Sequence, residues 1–269
     1  MMTPMKNIIL LLFLVWAAPL WAGDEIMARA ESTAYPRAWL NLDALLDNGN
    51  IRVNVSGPFS HGALIYNRTT SEMILVDDLH KMIFPLEPSV QTGLKMMGYM
   101  FSSRLKGEAK GAMPSIKLAY EVIQQNARAL FNGSGTLQKK NDHMNGYVCD
   151  LYEAQAGAGE KRQVWMTSLA STGIDPDNHQ TIWSLTQRLV DIFGYELGEL
   201  GADTNSLIKN YSASQFPIHV GLFTQGKLVS RFKVIQINHP HLGPDVFNPP
   251  VGYQMVSLID LIQTGIKGK

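Results

Sequence analysis

Short runs of alternating apolar and polar residues, each stopped by turn formers, set the strongest limit on how this chain folds. Ile51-Arg52-Val53-Asn54-Val55 alternates with a period of two and stops at Gly57-Pro58. Runs at 63–66, 73–76 and 81–86 follow, separated by a turn at 67–71 and by Asp77-Asp78. A period of two puts successive side chains on opposite faces of a strand. Runs this short, with turn residues about every 8 to 12 positions, read as an antiparallel meander.

The same pattern returns further along. Residues 147–154 form one run, with Val148, Asp150, Tyr152 and Ala154 on one face and Cys149 and Leu151 on the other. Gly157-Ala158-Gly159 turns the chain, and 163–167 pairs back. Residues 216–224 meet 227–237 across Gln225-Gly226, a tight hairpin signal. Arg231 and Lys233 alternate with Phe232 and Val234, so one face of that last strand is wet.

Helical spacing interrupts this pattern twice. Val90, Leu94, Met97, Phe101 and Leu105 share one helix face, and Pro114 opens a second helix running to about Leu130. Together they make a helical insert over about 88–132. Asp175-Pro176-Asp177 starts another helix over 181–193. A short helix is expected at 39–46, closed by Asn48-Gly49-Asn50, and a loose polar arm at 23–36. The expected fold is mainly β (α+β), an antiparallel sheet of about eight or more strands covered by helical inserts.

The N-terminus has a different grammar. Lys6 precedes an almost purely apolar run at 8–20, and Ala22 is a small residue just before Gly23-Asp24-Glu25. Charge, short apolar stretch and small residue are the order of a cleavable signal peptide over 1–22. The run is shorter than the roughly 20 residues a membrane span needs, and Pro19 ends it. A lipid anchor would need a cysteine after it, and the only cysteine is Cys149. The expectation is an exported, periplasmic protein whose residues 23–269 form a single domain without an internal disulfide. Lys+Arg and Asp+Glu are both 23, so bulk charge gives no reason to expect a nucleic-acid partner.

Residues that carry chemistry are scarce. His239-Pro240-His241 with Asp245 is the one grouping a metal or a hydrolytic site could use, and an ordinary polar loop explains it as well. Asp77 and Asp78 fit a turn, and Asp175 and Asp177 fit a helix start. No Gly-x-Ser-x-Gly elbow occurs, and Cys149 reads as a small buried hydrophobe. The expectation is therefore no enzyme, no catalytic residue, no metal and no cofactor. What stands out is apolar surface. Met96, Met97 and Met100, with Met113 nearby, together with Trp165 and Phe223, are candidates to line a pocket for an irregular apolar ligand. The competing reading is that they are core.

Three stretches carry a resemblance. They are Asn145-Gly146-Tyr147-Val148-Cys149-Asp150-Leu151-Tyr152, Lys161-Arg162-Gln163-Val164-Trp165-Met166, and the ending Phe247-Asn248-Pro249-Pro250-Val251-Gly252-Tyr253-Gln254. Together they resemble the periplasmic superfamily of outer-membrane lipoprotein carriers and receptors, LolA/LolB-like. The resemblance implies a strongly curved antiparallel sheet, an open half-barrel, with helices on its concave face and acyl chains or other apolar ligands held there. The functional expectation is a non-catalytic binding protein for a lipid-like or lipoprotein acyl ligand. The alternative is an envelope scaffold with a packed core that binds another envelope protein.

Overall fold

The computed structural model describes residues 23–32, 39–58, 60–86, 135–157, 159–193 and 214–257. The expected signal peptide and the helical insert lie outside these. The chain is mainly β, built on one open twelve-stranded sheet.

Six strands come first: β1 (Asp24–Ser32), β2 (Trp39–Asp47), β3 (Asn50–Gly57), β4 (Ser60–Asn67), β5 (Met73–Asp77) and β6 (Met82–Pro85). Then follow β7 (Thr136–Met144), β8 (Tyr147–Gly157) and β9 (Glu160–Ser168). Two helices, α1 (Leu169–Thr172) and α2 (Pro176–Phe193), lead to β10 (Gln215–Thr224) and β11 (Lys227–Asn238). A 3₁₀ turn (Pro244–Phe247) and a two-residue β12 (Gln254–Met255) close the described chain. Across the sheet the order is β12-β6-β5-β4-β3-β2-β1-β11-β10-β9-β8-β7. All pairs are antiparallel except β12 on β6, which is parallel. Among the described residues no helix is long and apolar enough to cross a membrane.

Turn chemistry explains the tight hairpins. Asn48-Gly49, Asn145-Gly146 and Gln225-Gly226 all have positive φ at both positions, from 50° to 85°. Two-residue loops of that shape match the right-handed twist of the strands they join. The start of α2 is as the sequence suggests. Asp175 Oδ1 accepts the Asp177 amide at 2.7 Å, with Pro176 in the first turn. Arg68, from the β4–β5 turn, pairs with Asp177 at 2.6 Å and ties that turn to the helix.

Three elements correct the sequence reading. Residues 24–32 are not a loose arm; β1 is central, paired with both β2 and β11. Its inward side is Ile26, Ala28 and Ala30, whose small size leaves only a faint alternation. Residues 39–46 are not a helix but most of β2. Leu40, Leu42, Ala44 and Leu46 alternate there, and the ladders of β1 and β3 override the helix preference of Leu and Ala. The third is β7, which follows no apolar alternation because it is an edge strand, exposed over most of its length.

The sheet bends sharply in its second half. Asn145 Nδ2, in the β7–β8 turn, donates to Val234 O on β11 at 2.9 Å. Three strand steps separate β8 from β11, which in a flat sheet would span about 14 Å. Bulges at Pro217/His219 and at Leu222/Phe223 lie in the intervening ladders and add local twist.

Candidate functional site

The register sorts the sheet into two unlike faces. On one, Phe84, Leu75, Leu64, Val53, Ala44 and Ile26 lie opposite one another from β6 to β1. A second row continues through Leu40, Ala30, Phe232, Val220, Val164 and Tyr152, from β2 to β8. This apolar face runs across every strand except the two at the edges. Its chief charged member away from the strand ends is Arg162, 1% exposed, between Ala154 and Leu222. Near the strand ends Leu46, Ile51, Tyr66 and Met73 are buried in the main core with Ile174 and Leu185 beside them. Further along the same strands Leu42, Val53, Val55, Leu64, Leu75 and Phe84 are only half-buried. The aliphatic face therefore extends beyond the part packed under α2.

The other face is charged around β1 and β11, with a buried apolar patch of Ala63, Ile65 and Val76 on β4 and β5. Arg231 Nε donates to Glu31 at 2.6 Å, and Arg29 pairs with Glu31 at 2.7 Å while lying over the Trp39 ring. These arginines hold the Glu31 carboxyl below its ordinary value, against the opposing effect of burial. Lys161 does the same for Glu153, at 2.6 Å.

Trp165 and Phe223 share a face, as the sequence suggests, but it is the face of Gln163 and Arg231 rather than that of Val164 and Val220. They are not neighbours on it. Trp165 donates its indole N–H to Asp142 at 3.1 Å and stands edge-on to His219, with ring centroids 5.0 Å apart. The Phe223 ring lies over Gly221, where a Cβ would come within 2.9 Å of it. Met96, Met97, Met100 and Met113 lie outside the described residues.

The remaining candidates find ordinary partners. Cys149 is 1% exposed, and burial pushes its thiol up to about 11, far from a useful nucleophile. Asp77 Oδ1 accepts the amides of Leu79 and His80, the turn role its position suggests. His239 Nδ1 lies 2.8 Å from Asp24 Oδ1, while Asp245 accepts the Asn248 amide at 3.2 Å. The structure thus does not bring Asp245 to His239. Among the described residues no group of three or more His, Cys, Asp or Glu is placed to hold a metal.

Two features had no signal in the sequence. Asp24 is 2% exposed, and its other oxygen accepts the Asp175 amide at 3.0 Å and Asn178 Nδ2 at 2.8 Å. Its partners are too distant in sequence to suggest the contact. His219 is the second. Burial, helped by Arg231 and Lys233 on the neighbouring strand, drives its pKa down to about 4. Buried His179 is lowered as well, by burial first, and its Nε2 accepts the Trp183 indole N–H at 2.9 Å.

These histidines make the fold acid-sensitive. A histidine whose folded pKa is depressed stabilises the fold fully above its unfolded value near 6.5 and loses that contribution as pH falls towards 4. The melting temperature should therefore drop between about pH 6.5 and 4, and His219→Phe should flatten that part of the profile. The depressed carboxylate of Glu31 acts in the same direction, but below its ordinary value of 4.5. An unchanged profile in His219→Phe would show that His219 is not the titrating group. Differential scanning fluorimetry across the pH range reads the result.

No family model matches the chain. No curated protein matches it either. Among solved structures it is similar to an uncharacterised conserved protein from Thermus thermophilus, at 8% identity, a TM-score of 0.43, and coverage of 90% of this chain and 93% of that one. It is also similar to PNGF-II, at 9% identity and a TM-score of 0.37, over 91% of this chain. The match spans 32% of the PNGF-II chain, about a third of its length. At these scores the likeness carries nothing about what this chain binds or does.

Proposed function

We propose that this is a periplasmic, non-catalytic binding protein for a lipid-like ligand, exported through a cleavable signal over 1–22. The sheet is read as a LolA/LolB-like half-barrel that holds an acyl chain on its apolar face. One observation carries this: the aliphatic face crosses all but the edge strands, and Leu42, Val55, Leu64, Leu75 and Phe84 on it remain half-buried. An aliphatic surface of that width on an antiparallel sheet needs a cover. On this reading α2 covers one end, and the insert over 88–132, with Met96, Met97 and Met100, is the lid over the rest. A lid that opens gives up apolar contact, and a bound acyl chain restores it at about 0.8 kcal/mol per buried CH₂. The long reach of the face suits a chain-like ligand better than a compact one. Phe223 lies on the opposite face and takes no part in it, while Trp165 packs against the main core.

Native mass spectrometry of protein purified from the periplasm, followed by organic extraction, tests the proposal. Bound mass that extracts as lipid supports it. A clean apo mass with no uptake of added palmitate sinks it, and the face is then covered by the chain's own side chains in a packed envelope scaffold.

A further inference from the structure

A groove of about 450 Å³ lies on the opposite side of the sheet from the apolar face. Its floor includes Ile65 and Ile74, which are register partners and point away from Leu64 and Leu75. Its rim comes from the β2–β3 and β4–β5 turns, and its far wall from the segment around Phe247. That wall is fixed rather than draped. Arg52 donates to Val246 O at 3.1 Å and to Asn248 O at 3.3 Å, and Phe247 is 9% exposed. The volume falls within the ~300–1,000 Å³ typical of small-molecule sites.

The lining chemistry narrows the ligand. Asp47 and Glu72 bring two carboxylates, and no lysine or arginine lines the groove. An anion would meet repulsion with no cation in the lining to offset it. Asn50 and Asn67 bring side-chain amides already locked in place. Asn67 Nδ2 donates to Asn50 Oδ1 at 2.8 Å, Asn67 Oδ1 accepts the Thr70 amide at 2.8 Å, and Asn50 Nδ2 donates to Asp47 O at 3.3 Å. Each amide nitrogen keeps one further N–H to offer. The groove therefore presents carboxylate acceptors and held amide donors beside an apolar floor of Ile65 and Ile74, with Phe247 in its far wall. Vicinal hydroxyls, each both donor and acceptor, satisfy both kinds of group, and the C–H face of a pyranose ring suits the apolar floor. A polyamine would satisfy the carboxylates but leave the amide N–H groups facing other donors.

From this we infer that the groove is a binding site for a neutral saccharide, separate from the apolar face and independent of the function proposed for it. The test uses the full mature chain, with saturation-transfer NMR and calorimetry against glucose, N-acetylglucosamine and maltose, and putrescine as the cationic probe. At least one saccharide should show saturation transfer to its ring protons. Asp47→Ala should weaken that saccharide's binding about tenfold or more, since a hydrogen bond to a charged group is lost. Asp47→Asn, which keeps the shape and one acceptor, should fall between and guards against a folding defect in the first variant. No transfer from any of the three saccharides overturns the inference. So does saccharide binding that both Asp47 variants leave unchanged, or binding of putrescine alone.

Discussion

Asp24→Ala should destabilise the fold by about 3 kcal/mol, because one buried and one part-buried donor lose their acceptor at once and each costs about 1–3 kcal/mol unpaired. The residue is 2% exposed, and its side chain joins three segments that are remote in sequence. It accepts the Asp175 amide at the entry to α2 and Asn178 Nδ2 within the helix, and it pairs with His239 just past β11. Asn178 also reaches Leu46 O at 3.4 Å, so loosening it disturbs the end of β2 as well. His239 is partly exposed and can turn to water, which is why the cost stops short of that for an orphaned buried charge. For a chain of this size the loss corresponds to a fall in melting temperature of about 6–12 °C. Asp24→Asn keeps one acceptor oxygen and should cost less. Urea denaturation of both variants checks the order, and a loss below about 1 kcal/mol in Asp24→Ala would show that the network is not holding α2 to the sheet.

Gly62→Ala should cost about 3 kcal/mol, near the upper end for overpacking, and with the opposite sign to that expected of the same change in open space. Inside a strand glycine carries an entropic penalty, so adding a methyl group normally helps. Here a Cβ on Gly62 would run into Val76 O and sit 3.3 Å from Val76 C. Those atoms are backbone, and they cannot yield without disturbing the β4–β5 ladder at Gly62↔Asp77 and Ala63↔Val76. The hydrogen bond from the Asp78 amide to His61 O, at 3.2 Å, holds the same corner closed. Hydrogen exchange should show faster opening of β5 and β6 than of β2 and β3. A variant as stable as the parent, with unchanged exchange, would mean that the chains do not approach this closely.

Where local chemistry decides the structure, the sequence was readable. Gln225-Gly226 between two alternating runs marked the β10–β11 hairpin, and Asp175-Pro176 marked the start of α2. The meander from β3 to β6 followed from alternation and turn residues alone. Elsewhere the decisive partner is far away. Ala28 and Ala30 become core only because Val234 and Phe232 pair with them from the other end of the chain. The leucines of β2 would suit a helix until β1 and β3 flank them. In β7 there was little to read, since an edge strand that buries neither face needs no alternation. The candidate sites divide the same way. The strands that carry Leu64 and Leu75 were visible, but the full width of the apolar face depends on the β1–β11 ladder. The groove was hidden for a different reason. Its polar lining, Asn50, Asn67 and Glu72, belongs to turns and their neighbours, and such residues are expected at turns whether or not they bind anything.

The central place of β1 bears on how the chain folds. From β6 back to β1, and from β11 back to β7, each strand lies beside its neighbour in sequence, so both halves can form by local closure. Apart from the two-residue β12 on β6, the seam that joins them among the described residues is the β1–β11 ladder, where Glu25 meets Asn238 across a separation of 213 residues. That seam gains nothing until its entropy of closure has been met, so it dominates the contact order of the molecule. The N-terminal half must wait with its first strand as a bare edge until the end of the chain arrives. A chain threaded through a membrane from its N-terminus would spend that interval most open to mispairing, and chaperone binding would be most valuable then.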